Sequence, residues 1–243
     1  MSDVFQPVPP PPPAPPAPPA RPATAGFDFA RPFTFTFEDP RWVPKILLGG
    51  LFMLASVFII GAFFVYGYMA RFVRNVIAGV ENPLPEWDDL GEYFSEGLRL
   101  FCVGLVYALP MIALVMLFMI PSIIAQSADN ESIQNLGGGM AACVWCLIFP
   151  LSLAMALWLP AAMMFAVVER RFGAAFEFGQ IASFIKANIG NYILAFVVWL
   201  VVRMIVPFGL ILLCVGIFFT SFWSLVVASY AFGTAWRLAP SRR

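Results

Sequence analysis

From residue 46 onward the chain alternates long apolar runs with short polar stretches. The runs occupy 46–70, 100–125, 140–168, 190–206 and 210–236. About twenty helical residues at 1.5 Å each cross a hydrocarbon layer of about 30 Å, so the pattern predicts an all-α, polytopic helical membrane protein with about five spans, within a range of four to six. Only Pro207, Phe208 and Gly209 separate the last two runs, and between Ala187 and Trp236 the single charge is Arg203. Pro110, Pro150 and Pro160 fall within spans and should bend them, which a bilayer tolerates when neighbouring helices satisfy the freed carbonyls.

The polar stretches carry the information. Between the first two runs lies NPLPEWDDLGEYFSEGLRL, residues 82–100. Read as a helix over 85–101, it has Pro85 and the acids Glu86, Asp88 and Asp89 in its first turn, and an apolar stripe of Trp87, Leu90, Phe94, Leu98 and Phe101. The opposite face is Asp89, Glu92, Glu96 and Arg99. The expectation is an amphipathic elbow on the cytoplasmic surface, with protein rather than anionic lipid as its neighbour. A shift of 91 positions places Trp87, Leu90, Phe94 and Leu98 on Phe178, Ile181, Ile185 and Ile189, and Phe101 on Tyr192. A second elbow thus precedes the fourth span, and the order span, basic end, elbow, span reads as a parallel internal repeat.

Ahead of the first span, residues 7–22 hold eleven prolines in sixteen positions, the composition of a semi-rigid polyproline II spacer rather than of a signal peptide. Phe27, Phe29, Phe33, Phe35 and Phe37 follow on a period of two, which predicts an extended segment with one aromatic face at headgroup level. The division expected is a proline-rich tail (1–26), an aromatic juxtamembrane segment (27–45), a helical membrane domain (46–238) and a basic tail (239–243).

Orientation follows from the basic residues. Arg71, Arg74 and Arg99 flank one connection, Arg170, Arg171 and Lys186 another, and Arg237, Arg242 and Arg243 end the chain, whereas the connection QSADNESIQNLGGG has none. The positive-inside rule makes the three basic places cytoplasmic. Five crossings would then export an N-terminal segment that carries Arg21, Arg31, Arg41 and Lys45. Either 46–70 re-enters without crossing, or 190–236 is not two full crossings; both resolutions stay open at this level.

Fourteen basic and fourteen acidic residues cancel, so no net field would recruit nucleic acid. The chain has no histidine, which removes the commonest general base and metal ligand. Cys102, Cys143, Cys146 and Cys214 all lie in apolar runs; Cys143 and Cys146 share a helix face at C-x-x-C spacing, and helix packing is their expected role.

The stretches EDPRWVPKILLGG (38–50), GYMARFVRNVIAG (67–79), NPLPEWDDLGEYFSEGL (82–98) and FGQIASFIKANIGNYILA (178–195) resemble the bacterial and archaeal membrane-protein family catalogued as domain of unknown function 4013. The resemblance covers roughly residues 33–238, and LPEWDD is its most specific part. It implies a multi-pass protein of the prokaryotic cell membrane without an assigned activity, and carries over no functional residue.

Candidate residues therefore rest on physical chemistry alone. Glu86, Trp87, Asp88, Asp89, Glu92 and Glu96, with Arg170 and Arg171, form a candidate interaction surface, the carboxylates being expected to meet the basic ends of spans one and three. Glu169, Arg170 and Arg171 read as a positive-inside anchor, with a grip on a phosphate as the functional counterpart. Arg203, deep in a span, either snorkels to the far interface or lines a polar pathway. No catalytic pair, metal set or cofactor motif emerges. The expectation is a non-enzymatic organising or interaction component of the membrane, with lipids and possibly other membrane or cytoplasmic proteins as partners; the alternative is a transporter or permease subunit.

Overall fold

The computed structural model describes residues 26–128, 130–211 and 215–240. The proline-rich stretch, Cys214, Arg242 and Arg243 lie outside them. Among the described residues every regular element is helical: α1 (Arg31–Thr34) with a 3-10 turn (Phe35–Glu38), α2 (Trp42–Ala55), α3 (Ile60–Ala78), α4 (Leu90–Gln126), α5 (Glu131–Val168), α6 (Phe178–Ala187), α7 (Ile189–Ile205) and α8 (Gly216–Arg237). Helix α7 runs on as a 3-10 turn to Ile211. Four helices among the described residues are long and apolar enough to cross a membrane: α4, α5, α7 with its continuation, and α8. The pair 31–38 and 42–58 would add a fifth if counted as one span, although it bends by 110°.

The expected first span, 46–70, is instead a hairpin of α2 and α3. The break is sharp because Ile59 takes a left-handed φ of 68° and because Gly61 has no side chain: a Cβ there would stand 2.2 Å from the Phe52 carbonyl oxygen. The first turn of α3 therefore lies directly on the end of α2. Their outer ends meet again, since Lys45 Nζ donates to the Leu84 carbonyl, just beyond α3, at 2.9 Å. The chain thus reverses direction within this segment, the geometry that the re-entrant alternative calls for. An even count of four candidate spans is consistent with the described start of the chain and Arg237, beside Gly79, lying at one common basic end.

The aromatic segment is helical rather than extended. Asp28 Oδ1 accepts from the amides of Ala30 and Arg31, and Pro32 suits a first helical turn, so local capping overrides the period-two pattern. Phe35 is buried and stacks on Phe72 and Tyr230, while Phe29 and Phe37 are exposed.

The first elbow also differs from expectation. Residues 82–89 are not helical. Asp89 caps α4 by accepting from the Glu92 amide at 3.0 Å, and α4 continues unbroken to Gln126. Its faces are reversed as well: Leu90, Phe94 and Leu98 are exposed and Glu96 is buried. A bilayer inverts the aqueous rule, because apolar side chains can face lipid while charges seek partners inside the protein. The second elbow is a separate helix, α6, with Ile181 and Phe184 inward; it ends at Asn188, whose Nδ2 donates to the Ala235 carbonyl at 2.7 Å. Exposed Leu90 is thus matched to buried Ile181, whereas Leu98 and Ile189 are both exposed, so the two stripes agree only in part.

Close helix contact is set by small residues. A Cβ on Gly67 would stand 1.9 Å from the Tyr93 carbonyl oxygen and one on Gly97 1.6 Å from that of Phe63, so α3 and α4 touch backbone to backbone. Helix α5 passes through Pro160 with help from α7. Proline has no N–H to give the Ala156 carbonyl. The Tyr192 hydroxyl accepts from the Ala161 amide at 3.1 Å and donates to the Leu157 carbonyl at 2.7 Å, entering between two groups that an unbroken helix would pair with each other.

Candidate functional site

The polar residues gather at the basic end in two adjoining groups. The first is built round Glu96, which α4 holds buried about two turns below the cap. Glu96 Oε2 accepts from Arg74 Nη2 of α3 at 2.6 Å, and Glu96 Oε1 lies 3.2 Å from Arg170 and 3.5 Å from Arg99. Glu92 pairs with Arg170 at 2.8 Å. Arg99 Nη1 donates to the Arg170 carbonyl at 2.9 Å, and Arg170 is itself a non-glycine residue at φ 52°, a strained conformation that persists only where surrounding contacts fix it. Three arginines thus face two glutamates. Among the described residues, Arg74 Nη1 and Arg99 Nε and Nη2 are buried and make no hydrogen bond, the nearest carboxylate oxygen to Arg99 Nη2 being Glu96 Oε1 at 3.5 Å.

The second group clamps the polar stretch itself. Four successive carbonyls each accept a side-chain hydrogen bond: Pro83 from Asn75, Leu84 from Lys45, Pro85 from Tyr68 and Glu86 from Tyr93. The two prolines have no amide to satisfy, so an extended strand with no sheet partner becomes affordable inside the protein. Lys45 is buried and also pairs with Asp39 at 2.6 Å and Glu86 at 2.9 Å. Trp87 donates from Nε1 to the Lys45 carbonyl at 3.1 Å and stacks on Tyr68 and Phe52. Arg41 joins Glu86, and Arg71 joins Asp88.

Of the residues singled out in the sequence, Glu92, Glu96 and Arg170 therefore come together, and Glu86, Trp87 and Asp88 lie in the adjoining clamp. Asp89 is spent on the helix cap. Arg171 stays apart, bonded to Glu169 and Glu177; its hydrogen bond to Glu169 and the nearby charge hold the guanidinium still further towards its charged form. Arg203 is exposed on α7, beside Trp199 at 5.7 Å, on the outside of the bundle. Cys143 and Cys146 are exposed on α5 rather than packed, and Cys102 is half-buried. Sequence reasoning missed Asp39 and Lys45 as a buried pair; the only available signal was a lysine at the mouth of an apolar run.

Described residues whose regular elements are all helical, with four apolar helices of crossing length and most of the charges at one end, make a multi-pass membrane protein. A family model described as "Protein of unknown function (DUF4013)" matches residues 50–215, and the chain belongs to that family. No curated protein and no solved structure matches it.

Proposed function

We propose that the chain is a non-enzymatic organising component of a prokaryotic cell membrane, its basic end towards the cytoplasm, which gathers lipids and other membrane proteins against its helices. The observation that carries this reading is the α4–α5 hairpin. The most apolar stretches of these helices are only 11% and 6% buried by the rest of the chain, against 50% for α8. The helices have 37 and 38 residues, well beyond the roughly 20 that one crossing needs. They present rows of large side chains outward, among them Leu117, Ile124, Trp145 and Phe149. The carboxylates and arginines, by contrast, are engaged with one another, which favours holding helices together over chemistry on a substrate.

A photo-crosslinking side chain at Leu117 or Trp145, in native membranes, should give the same protein adduct, identified by mass spectrometry, and one at buried Val227 should not. Lipid adducts alone at both outer positions would sink the proposal. Solute flux that requires the purified chain in proteoliposomes would replace it with the transporter reading. For orientation, a single cysteine at Asn130 should label from outside and one at Gly173 from inside.

A further inference from the structure

Below the ionic group lies an apolar cavity of about 280 Å³ between α3, α4, α5, α7 and α8. Its wall on α5 runs from Ala156 to Val167, about 16 Å at 1.5 Å per residue, so it is long in the direction of the helices. Tyr66, Ala156 and Trp199 in its wall are only half-buried, which leaves it open sideways towards the bilayer. Its basic end lies next to the ionic group along three helices, although no arginine lines the cavity itself: Val73 precedes Arg74, Leu100 follows Arg99 and lies one turn beyond Glu96, and Val167 lies within a turn of Arg170.

We infer that this is a binding site for one acyl chain of an anionic phospholipid, whose phosphate sits against Arg74 and Arg99. An apolar slot open to lipid matches a hydrocarbon chain. The headgroup follows from the charges, because three arginines meet only two glutamates there, and Arg74 Nη1 and Arg99 Nε are buried with no acceptor among the described residues. A phosphate supplies both the missing negative charge and acceptor oxygens in the fork geometry that arginine prefers. The inference gives a ligand class to the organising role proposed above, but its test involves no partner protein, so either can fail without the other.

The test is native mass spectrometry of the full chain released from detergent supplied with dioleoyl phosphatidylglycerol, dioleoyl phosphatidylcholine or oleate. The expected result is one phosphatidylglycerol retained per chain, preferred over phosphatidylcholine by about tenfold, the weight of one charge-assisted contact. Ala156→Phe, which fills the slot from a half-buried position away from the ionic group, should abolish retention of both phospholipids. Arg99→Gln should level the two. If Arg99→Gln fails to fold, Ala156→Phe and the wild-type preference decide. Equal retention of both phospholipids by the wild type, undiminished retention by Ala156→Phe, or retention of oleate without phosphatidylglycerol would each overturn the inference.

Discussion

Replacing Tyr192 by phenylalanine removes one oxygen atom from the place where α5 passes through Pro160. Two hydrogen bonds go with it, from the Ala161 amide and to the Leu157 carbonyl, at 3.1 and 2.7 Å, beside a tyrosine that is only 2% exposed. Hydrogen bonds between membrane helices contribute about 0.6 kcal/mol on average and up to about 1.7, so two give about 1–3 kcal/mol. For a chain of this size that corresponds to a melting temperature lower by about 2–12 °C. The assay is thermal unfolding of the purified chain in detergent, with Tyr66→Phe as the control, because the Tyr66 hydroxyl makes no side-chain hydrogen bond in the described structure; that variant should stay within about 0.5 kcal/mol. In a Pro160→Ala background α5 can close its own ladder, so the cost of Tyr192→Phe should shrink there. Equal costs for Tyr192→Phe and the control, or a cost unchanged by Pro160→Ala, would refute the account.

Glu92→Lys should destabilise the chain by about 1 kcal/mol, as expected for partly exposed pairs, and Arg170→Glu in the same chain should restore part of it at low salt but not at high salt, read by unfolding in detergent. Asp89→Ala should cost about 0.5–2 kcal/mol through the lost cap, and Arg170→Glu should not rescue it. Gly97→Val should separate α3 from α4 and cost at least about 1–3 kcal/mol, seen as lost monodisperse elution or a lower melting temperature. Arg203→Ala should change stability by no more than about 0.5 kcal/mol; a large loss would place its guanidinium inside the bundle.

Hydropathy alone marked the cores of α4, α5, α7 and α8, because twenty uncharged apolar residues have few folded alternatives in a bilayer. The 46–70 run misled for a local reason. Its length suited a crossing, and nothing in the pattern told a reversal at Ile59 from a continuous turn of helix, although the glycines Gly49, Gly50, Gly61 and Gly67 marked a segment packed closely against others. At 85–101 the amphipathic pattern was visible but its sense was not. The stripe of Leu90, Phe94 and Leu98 has the same spacing whether it faces core or lipid, and Glu96 took the inner side because Arg74 and Arg170 were waiting there. The charges expected to meet could be named from sequence. The side-chain clamp on residues 83–86 could not, since its donors come from positions 45, 68, 75 and 93 and only the folded chain brings them to one strand.

That clamp also imposes an order on biosynthesis. Lys45, Tyr68 and Asn75 leave the ribosome before the carbonyls they will bind, and Tyr93 leaves after them. The α2–α3 hairpin therefore arrives with three donors unspent, one of them a lysine ammonium whose immediate partner is Asp39 alone until Glu86 emerges. Residues 83–86 close over these donors from the tail side of the growing chain, and the fourth bond forms only when the first turn of α4 has been made. A truncation between Asn75 and Pro83 would remove the carbonyl partners of all three donors at once, which makes the hairpin a poor autonomous unit.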